Sequence, residues 1–242
     1  MRDGTTGIGA LVPAAGRSRR FGFDKRMVEV GEGPMLETLV RRCAGAFERV
    51  LVVLHDGDEG LACRLQTSCP RVQVELSRRA DGGMGDSIAE GVLATRGWRA
   101  WFIALGDMPF VTSRTLEALR DALAERLREV PGAPVIVQPV HRAVGGHPVG
   151  FSHHFAEALI ALRGDRGARA ILECSRESLI RVPVDDPGIH RDVDTPADLE
   201  RAVIASSPAN GSGPRPHSGG RPNDRSGGRS PRRGSRPPSP RG

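Results

Sequence analysis

The sequence has one lysine, no tyrosine and few aromatic residues of any kind. Of its 35 basic side chains only Lys25 is a lysine, and aromatic residues make up 4% of the chain. So few rings exclude a conventional base-stacking surface for single-stranded nucleic acid, which is built from aromatic side chains. The four cysteines form no CxxC pair and no metal-like spacing with histidine. We therefore predict neither a zinc site nor a disulfide framework, and we expect a reducing compartment.

Long apolar runs are also missing. No run approaches the roughly 18 to 20 residues that span a bilayer as a helix. Residues 1–7 lack the basic and apolar pattern of a secretory signal. We expect a cytoplasmic protein without a membrane partner.

Positive charge is concentrated at the end of the chain. Residues 205–242 contain eight Arg and one Asp, a net charge of +7, so residues 1–204 carry −1 of the total of +6. The 205–242 segment is mostly Gly, Pro, Ser and Arg, which cannot bury enough apolar surface to offset the entropy of ordering. We predict a domain over 1–204 and a disordered tail over 205–242. The tail is either a solvated extension or a loose, salt-dependent contact for RNA or another anionic surface.

Apolar runs alternate with helical patterns from residue 8 to residue 204. This order predicts right-handed crossovers and a three-layer α/β/α domain with a mainly parallel sheet. Strands are predicted at Ile8–Pro13, Arg49–Leu54, Val72–Leu76, Ala100–Leu105 and Val135–Pro139 and near Leu179–Val184, with a loop or hairpin at His141–Gly150. Helices are predicted at Pro34–Phe47, Asp58–Thr67, Gly83–Thr95, Thr112–Val130, Ser152–Leu162 and Arg166–Cys174.

A Gly-rich segment follows the first predicted strand and ends at Lys25. From Ala14 onward it contains small residues, three arginines and two glycines, Gly16 and Gly22, where backbone can approach a ligand closely. Backbone N–H groups with flanking cations form an anion site, and lysine supplies a compact point charge for a phosphate. The spacing matches neither a Walker A loop nor G-x-G-x-x-G. We predict a phosphate-binding loop with a functional Lys25; an ordinary surface turn is the alternative.

Asp107 stands directly after the predicted strand Ala100–Leu105. Ligands of open α/β sheets bind beyond the carboxyl ends of the strands, so this carboxylate is expected to face the ligand. A hard oxygen ligand suits Mg²⁺ carrying the phosphates of a nucleotide. Asp107 is therefore a predicted metal ligand, and a carboxylate that only caps the turn is the alternative.

A second acidic segment, Asp192-Val193-Asp194, precedes Thr195-Pro196 near the end of the predicted domain. Residues two apart point the same way on an extended segment, so Asp192 and Asp194 are predicted to supply the second side of a metal site. Thr195 is the predicted N-cap of a last helix, with Pro196 and Asp198 in its first turn.

Together these segments resemble a known family. Leu11–Lys25 resembles the signature loop of nucleotidyltransferases with a nucleotide-diphospho-sugar-transferase-like fold, which is Rossmann-like. Four later segments are similar, in the same order, to those of the molybdenum cofactor cytidylyltransferases: Gly106–Pro109, Gly146–Pro148, Gly164–Arg169 and Asp192–Pro196. The resemblance implies Mg²⁺-dependent transfer of a nucleotidyl group from an NTP to the terminal phosphate of molybdopterin, with pyrophosphate released.

The resemblance also implies roles for individual residues. The implied catalytic residues are Lys25, Arg20 and Asp107, and the implied Mg²⁺ ligands are Asp107, Asp192 and Asp194. The implied nucleotide-binding residues are Ala14, Ala15, Gly16, Arg17, Ser18 and Ser87, and the implied acceptor-binding residues are His147, Pro148, Asp165 and Arg169. A locally packed His147 and a helix-surface Arg169 are the alternatives at those two positions.

The expected nucleotide donor is CTP. Paired alanines before Gly16 look like the cytidylyl and uridylyl enzymes of this fold, whereas the guanylyl branch tends to carry glycine at the Ala15 position. Two departures loosen the identity of the acceptor, because Pro13 replaces the usual Leu and Phe21 the usual Met. The implied partners are CTP or GTP, a molybdopterin-type phosphate and a molybdoenzyme that receives the product.

Three other functions compete with this interpretation. One is a nucleotidyltransferase of the same fold that acts on a sugar phosphate or a polyol phosphate. Another is a non-catalytic accessory protein that passes the cofactor to a molybdoenzyme. The third, an RNA-associated protein driven by the Arg-rich tail, is disfavoured because residues 1–204 are nearly neutral and poor in aromatic side chains.

Overall fold

The structure is a computed structural model that describes residues 7–16, 23–195 and 197–198. All of these residues belong to one compact unit. The strands within these ranges are β1 Ile8–Pro13, β2 Arg49–His55, β3 Val72–Ser77, β4 Ala100–Ile103, β5 Ile136–His141, β6 Val144–Gly145, β7 Val149–Ser152 and β8 Leu179–Pro183. The α-helices are α1 Met35–Ala46, α2 Glu59–Ser68, α3 Met84–Ala94, α4 Ser113–Glu129, α5 Ala156–Ile160 and α6 Arg169–Cys174. The predicted tail over 205–242 lies outside the described residues.

The eight strands form one sheet in the order β3-β2-β1-β4-β7-β5-β6, and β8 pairs with β5. The half of the sheet from β3 to β4 is parallel, as the alternation of strands and helices predicts. Strand β7 runs antiparallel between β4 and β5, while β8 pairs parallel to β5. The mainly parallel α/β sheet predicted from the sequence is therefore confirmed.

Two apolar cores cover the two faces of this sheet. On β1, Val12 packs in a core with Leu39 of α1 and Leu116 of α4. The neighbouring Leu11 points to the opposite face, where it packs in a core with Ile88 of α3. This change of face from one residue to the next is the two-residue period of a strand, and burial on both faces explains why β1 is apolar throughout.

Several predicted elements differ from the structure in extent. The predicted helix at Ser152–Leu162 is a short 3-10 turn followed by the five-residue α5. The predicted helix at Arg166–Cys174 begins only at Arg169, after a loop in which Gly164 has a φ of +64°. The hairpin alternative at His141–Gly150 is confirmed as the β5–β6 pair. No helix of the described residues is long and apolar enough to cross a membrane.

Two edges of the sheet differ in composition. The amino edge, where the parallel strands begin, packs Trp98 directly over Gly9, so that a Cβ at Gly9 would overlap the indole ring. At the same edge the hydroxyl of Thr95 donates to the carbonyl of Gly91 at 2.6 Å and accepts from Nε1 of Trp101 at 2.8 Å. The carboxyl edge, where these strands end, carries the charged residues described next.

Candidate active site

Lys25 lies at the centre of a charged cluster at the carboxyl edge of the sheet. Its ammonium donates to Oδ2 of Asp107 at 3.0 Å, to Oδ1 of Asp194 at 3.0 Å and to the carbonyl of Val193 at 3.2 Å. The side chain of Lys25 is 18% exposed, so the cluster is partly shielded from water. Three residues singled out from distant parts of the sequence therefore meet at one point.

Backbone contacts hold these three segments together. Asp107 follows β4 in a turn closed by the Met108 N–H, which donates to the carbonyl of Leu105 at 3.0 Å. The carbonyl of Asp107 in turn accepts from the Val193 N–H at 3.0 Å, which brings the 192–195 segment to the same edge. Lys25 opens a single 3-10 turn, Lys25–Met27, and this turn points its side chain at both segments.

The charges of the cluster favour the protonated form of Lys25. Burial by itself would lower the pKa of this lysine, but the charges of Asp107 and Asp194 and their hydrogen bonds outweigh burial and raise the pKa above its ordinary value. Lys25 is therefore a permanent cation at neutral pH. In such a site the cation can exchange its partners. Negatively charged phosphates, such as those of a nucleotide, can take the place of the two carboxylates.

A second cation, Arg26, stabilises the site and was not predicted from the sequence. Arg26 donates from Nε to Oδ1 of Asp24 at 2.8 Å, from Nη1 to Oδ2 of Asp58 at 2.6 Å and from Nη1 to the carbonyl of Ala14 at 3.0 Å. Burial by itself would lower the pKa of this guanidinium. The hydrogen bonds and charges of Asp24 and Asp58 outweigh burial and raise the pKa above its ordinary value. Arg26 thus ties the loop after β1 to the segment bearing Lys25 and to the start of α2. No local pattern predicts this contact, because Asp58 is 32 residues away.

The predicted nucleotide loop is only partly described. Ala14 and Ala15 are buried, and the Ala14 N–H donates to the carbonyl of Val53 at 2.9 Å. Gly16 is exposed, with open space where a Cβ would stand. The predicted contacts Arg17, Ser18 and Arg20 lie outside the described residues. Ser87 is 2% exposed and its hydroxyl donates to the carbonyl of Gly83 at 3.1 Å, which gives it a role in the first turn of α3.

A cavity of about 460 Å³ opens beside the cluster. His147 lies in the wall of this cavity. Its backbone N–H donates to the carbonyl of Ile189 at 3.0 Å. Burial lowers the pKa of the His147 imidazole, with His190 adding to the effect, whereas Asp107 and Asp192 act in the opposite direction. The cavity is lined by Met84, Ile88, Ile103, Leu105, Gln138, Gly145, His147, Val149, Phe151, Gly167, Ala168, Arg169, Leu172 and Glu173. Its wall is therefore mostly apolar with a few polar groups, as is typical of a site for an organic ligand.

The imidazole of His147 has one deeply buried nitrogen. Nδ1 of His147 is buried and has no hydrogen-bond partner among the described residues. A buried nitrogen without a partner is costly unless a ligand or water satisfies it. Pro148, also a predicted acceptor contact, is buried and follows His147 through a cis peptide bond.

The other two predicted acceptor residues are less enclosed. Gly164, next to Asp165, is clasped by α3, since its carbonyl accepts from the Gly85 N–H and its N–H donates to Asp86, both at 2.7 Å. Asp165 packs closely on Gly83, where a Cβ would meet its carboxylate. Arg169 lines the cavity, but its side chain is 88% exposed and donates to Glu173 at 2.8 Å.

Two of the carboxylates suit a divalent cation as ligands. Within the described ranges no three His, Cys, Asp or Glu side chains cluster so as to hold a metal ion. Asp107 and Asp194 meet at Lys25, whereas Asp192 is exposed and acts on His147 through its charge. Magnesium is usually held by one or two carboxylates together with substrate phosphates rather than by an all-protein cage. Asp107 and Asp194 fit that mode, and the three-carboxylate arrangement expected from the sequence is not preformed.

Fold and site together define a class of protein. A doubly covered α/β sheet with a cation, two carboxylates and a cavity at its carboxyl edge has the architecture of a ligand-binding α/β domain. The chain belongs to the MobA-like NTP transferase domain family, whose model matches residues 10–182. It therefore carries a MobA-like NTP transferase domain.

Two curated proteins are similar to parts of the chain. A probable molybdenum cofactor guanylyltransferase from Peptoclostridium acidaminophilum is 27% identical over 111 residues, which is 46% of this chain and 47% of that protein. The bifunctional protein GlmU from Agrobacterium fabrum is 32% identical over 167 residues, or 66% of this chain and 34% of that protein. The chain thus spans about half and about a third of the length of these two relatives.

Solved structures support the fold. The Mycobacterium tuberculosis H37Rv protein Rv0371c in complex with manganese superposes with a TM-score of 0.62 and 23% identity, over 83% of this chain and 99% of that one. At this level of identity the likeness concerns the fold.

Proposed function

We propose that this chain catalyses Mg²⁺-dependent transfer of a nucleotidyl group, with CTP as the expected donor, to the terminal phosphate of a molybdopterin-type acceptor. The observation that carries the proposal is the meeting of the single lysine with Asp107 and Asp194, at 3.0 Å from each. This cluster lies beside a cavity of about 460 Å³ that an organic acceptor would fill. The family supplies the reaction class, and the cluster supplies groups suited to its chemistry.

The mechanism rests on charge and alignment. An acceptor phosphate is already a nucleophile at neutral pH, so one of its oxygens forms a bond to the α-phosphorus of the NTP. The bond from the α-phosphorus to the oxygen bridging to the β-phosphate breaks, and pyrophosphate leaves with the electron pair. Such a transfer requires in-line positioning and neutralisation of spreading negative charge, and it needs no covalent intermediate on the protein.

Lys25 and the two carboxylates would divide this work. Asp107 and Asp194 would hold the divalent cation, which would supply positive charge against the phosphates of the nucleotide. In the structure both carboxylates share the ammonium of Lys25. With a divalent cation at these carboxylates instead, the ammonium of Lys25 would be available to the departing pyrophosphate. It would stabilise the negative charge of that leaving group.

The acceptor side is assigned to the cavity. Its apolar wall suits a flat heterocycle, while Gln138 and His147 provide polar atoms that fix an orientation. Pro148 and Arg169 complete the proposed acceptor contacts, and Asp165 supports the loop that forms one rim.

The nucleobase of the donor can be identified by comparing CTP with GTP. The Ala14-Ala15 pair favours CTP, whereas one similar protein is named a probable molybdenum cofactor guanylyltransferase. We expect CTP to give a larger kcat/KM than GTP. A preference for GTP would move the chain to the guanylyl branch and leave the reaction class unchanged.

The test is an assay of pyrophosphate release with CTP, GTP, UTP and ATP, each with Mg²⁺ and with molybdopterin, a sugar 1-phosphate or a polyol phosphate. Asp107→Asn should abolish release, because it removes the charged ligand of the cation, whereas Asp121→Asn on the exposed face of α4 should not. Nucleotide binding without turnover for every acceptor would instead support the non-catalytic accessory protein. Turnover only with a sugar or polyol phosphate would replace the acceptor.

A further inference from the structure

Asp186 is a buried carboxylate that the proposed mechanism does not use. It is 4% exposed and follows β8 in the segment that leads to Asp192 and Asp194. Its Oδ2 accepts from the Thr112 N–H at 2.9 Å, the Thr112 hydroxyl at 2.9 Å and the Thr115 hydroxyl at 2.7 Å. Its Oδ1 accepts from the Gly188 N–H at 2.8 Å. These donors belong to the start of α4 and to the turn at Pro187–His190.

These bonds join two segments that each carry a carboxylate of the cluster. Thr112 and Thr115 open α4, directly after the loop that bears Asp107. Gly188 begins the segment 188–194, which bears Asp194, and it packs so closely on the carbonyl of Phe110 that a Cβ would overlap it. Asp186 therefore fixes the segment 188–194 against the loop 107–112.

The segment 188–194 in turn bonds from its own backbone to the backbone of His147 and Asp107 and to the side chain of Lys25. The carbonyl of Ile189 accepts from the His147 N–H at 3.0 Å. The Val193 N–H donates to the carbonyl of Asp107, while the Val193 carbonyl accepts from Lys25. A shift of this segment would change the spacing of Lys25, Asp107 and Asp194 together.

We infer that Asp186 is a positioning residue, which sets the separation of the Asp107 and Asp194 carboxylates by docking the segment 188–194 on the loop 107–112. The inference rests on the proposed function, in which those carboxylates hold the divalent cation. Asp186 does not touch the substrate. It acts through the two segments that it joins.

The two oxygens of Asp186 cannot be replaced by an amide. Both oxygens are acceptors and each faces a backbone N–H, from Thr112 on one side and from Gly188 on the other. An asparagine of the same shape places its NH₂ group against one of these N–H donors in either orientation. A buried pair of facing donors is unfavourable, so the two segments must separate.

The experiment compares Asp186→Asn with the wild type in three measurements. Misplaced metal-binding groups typically cost 10- to 100-fold in activity or metal affinity. We expect kcat to fall about 10- to 100-fold while the KM for the NTP changes less than about threefold. The dissociation constant for Mn²⁺, followed by electron paramagnetic resonance with the preferred NTP and no acceptor, should rise about tenfold or more. The third measurement is the thermal unfolding temperature.

Three matched variants separate positioning from stability. Asp185→Asn changes the same charge at the exposed neighbouring residue and should behave as wild type. Thr95→Val removes a buried hydroxyl at the amino edge, so it should lower the unfolding temperature and leave kcat and Mn²⁺ affinity unchanged. Thr115→Val removes only one of the bonds to Asp186 and should give the same pattern in weaker form, which keeps the test decisive if Asp186→Asn fails to fold.

The outcomes distinguish this inference from the proposed function. Wild-type kcat and Mn²⁺ affinity in Asp186→Asn, or in Thr115→Val where the first variant does not fold, would overturn the positioning role. Absence of turnover by the wild type would overturn the proposed function, and the Mn²⁺ titration would then decide the positioning role by itself. A wild type that binds no Mn²⁺ would overturn both.

Discussion

The amino edge and the carboxyl edge of the central sheet differ in how their polar groups are paired. At the amino edge, Trp98 covers Gly9 and the hydroxyl of Thr95 is saturated by Gly91 and Trp101. At the carboxyl edge, Lys25 gathers two carboxylates, while Nδ1 of the nearby His147 is buried without a partner among the described residues.

This contrast separates the residues that stabilise the fold from those that serve a ligand. Closely packed apolar groups with satisfied hydrogen bonds contribute to the free energy of unfolding. Buried polar atoms without partners reduce it, and they persist where function requires them. Substitutions at the amino edge should therefore change stability, and substitutions at the carboxyl edge should change turnover.

The largest effect is expected from Lys25→Met. Loss of the single ammonium removes the cation assigned to the leaving pyrophosphate, so turnover should fall by about two orders of magnitude or more, which is the scale for removing one transition-state charge contact. The thermal unfolding temperature should change little, because Asp107 and Asp194 are 24% and 48% exposed and can be solvated. Pyrophosphate release and thermal unfolding measure the two quantities.

Lys25→Arg serves as the charge-preserving companion. Its planar guanidinium keeps the positive charge but not the compact geometry, so it should recover only part of the lost turnover. Near-normal turnover of Lys25→Met would remove Lys25 from the mechanism and with it the distinction between the two edges.

An intermediate effect, on stability alone, is expected from Gly9→Ala at the amino edge. The added methyl group overlaps the indole of Trp98, and overpacking of this kind costs about 1–3 kcal/mol. The matched change Gly45→Ala on the exposed side of α1 meets no neighbouring atom, and it should stabilise the protein by about 0.5–1 kcal/mol. Urea unfolding measures both free energies. Equal kcat for all three folded proteins is expected, and a lower kcat for Gly9→Ala would contradict the separation of the edges.

The smallest effect is a change in the titration of Lys25. Because the chain has one lysine, selective ¹³C labelling of lysine gives a single set of side-chain NMR signals. The pKa of Lys25 should lie above the ordinary value of about 10.5. Asp107→Asn should lower this pKa, because it removes one of the two carboxylate charges that outweigh the effect of burial. Asp121→Asn should leave the pKa unchanged. An equal pKa in Asp107→Asn and the wild type would contradict the pairing.

The same shift has a defined consequence for stability. A lysine with a raised pKa in the folded protein contributes stability that is fully present below its unfolded pKa. That contribution is lost as the pH rises through the folded pKa, which lies above about 10.5. In the Asp107→Asn variant this loss should begin at a lower pH.

Much of the fold could be predicted from the sequence because its signals are local. The apolar runs of β1 and β2 and the helical period of α1 and α4 are set by neighbouring residues, and each was predicted to within a residue or two. The short α5 and the late start of α6 were not. Between them lies Gly164, which bonds to α3 through contacts between residues distant in sequence, and no local pattern predicts such contacts.

The site divides in the same way. Lys25, Asp107 and Asp194 could be singled out because each stands next to a recognisable local signal, and the structure brings the three together. Arg26 and Asp186 could not, since their roles depend on partners 32 and 74 residues away. Asp192 shows the limit of a local rule, because the two-residue period does not hold its carboxylate and that of Asp194 in one three-carboxylate group with Asp107.

The central claim is that a divalent cation and Lys25 act on one triphosphate at the carboxyl edge. Anomalous scattering from Mn²⁺ in crystals grown with a non-hydrolysable CTP analogue tests it directly. We expect one Mn²⁺ peak within about 2.0–2.6 Å of carboxylate oxygens of Asp107 or Asp194, with the ammonium of Lys25 within hydrogen-bond distance of a phosphate oxygen. A bound triphosphate whose Mn²⁺ lies away from both carboxylates, or whose phosphates lie beyond the reach of Lys25, would contradict it.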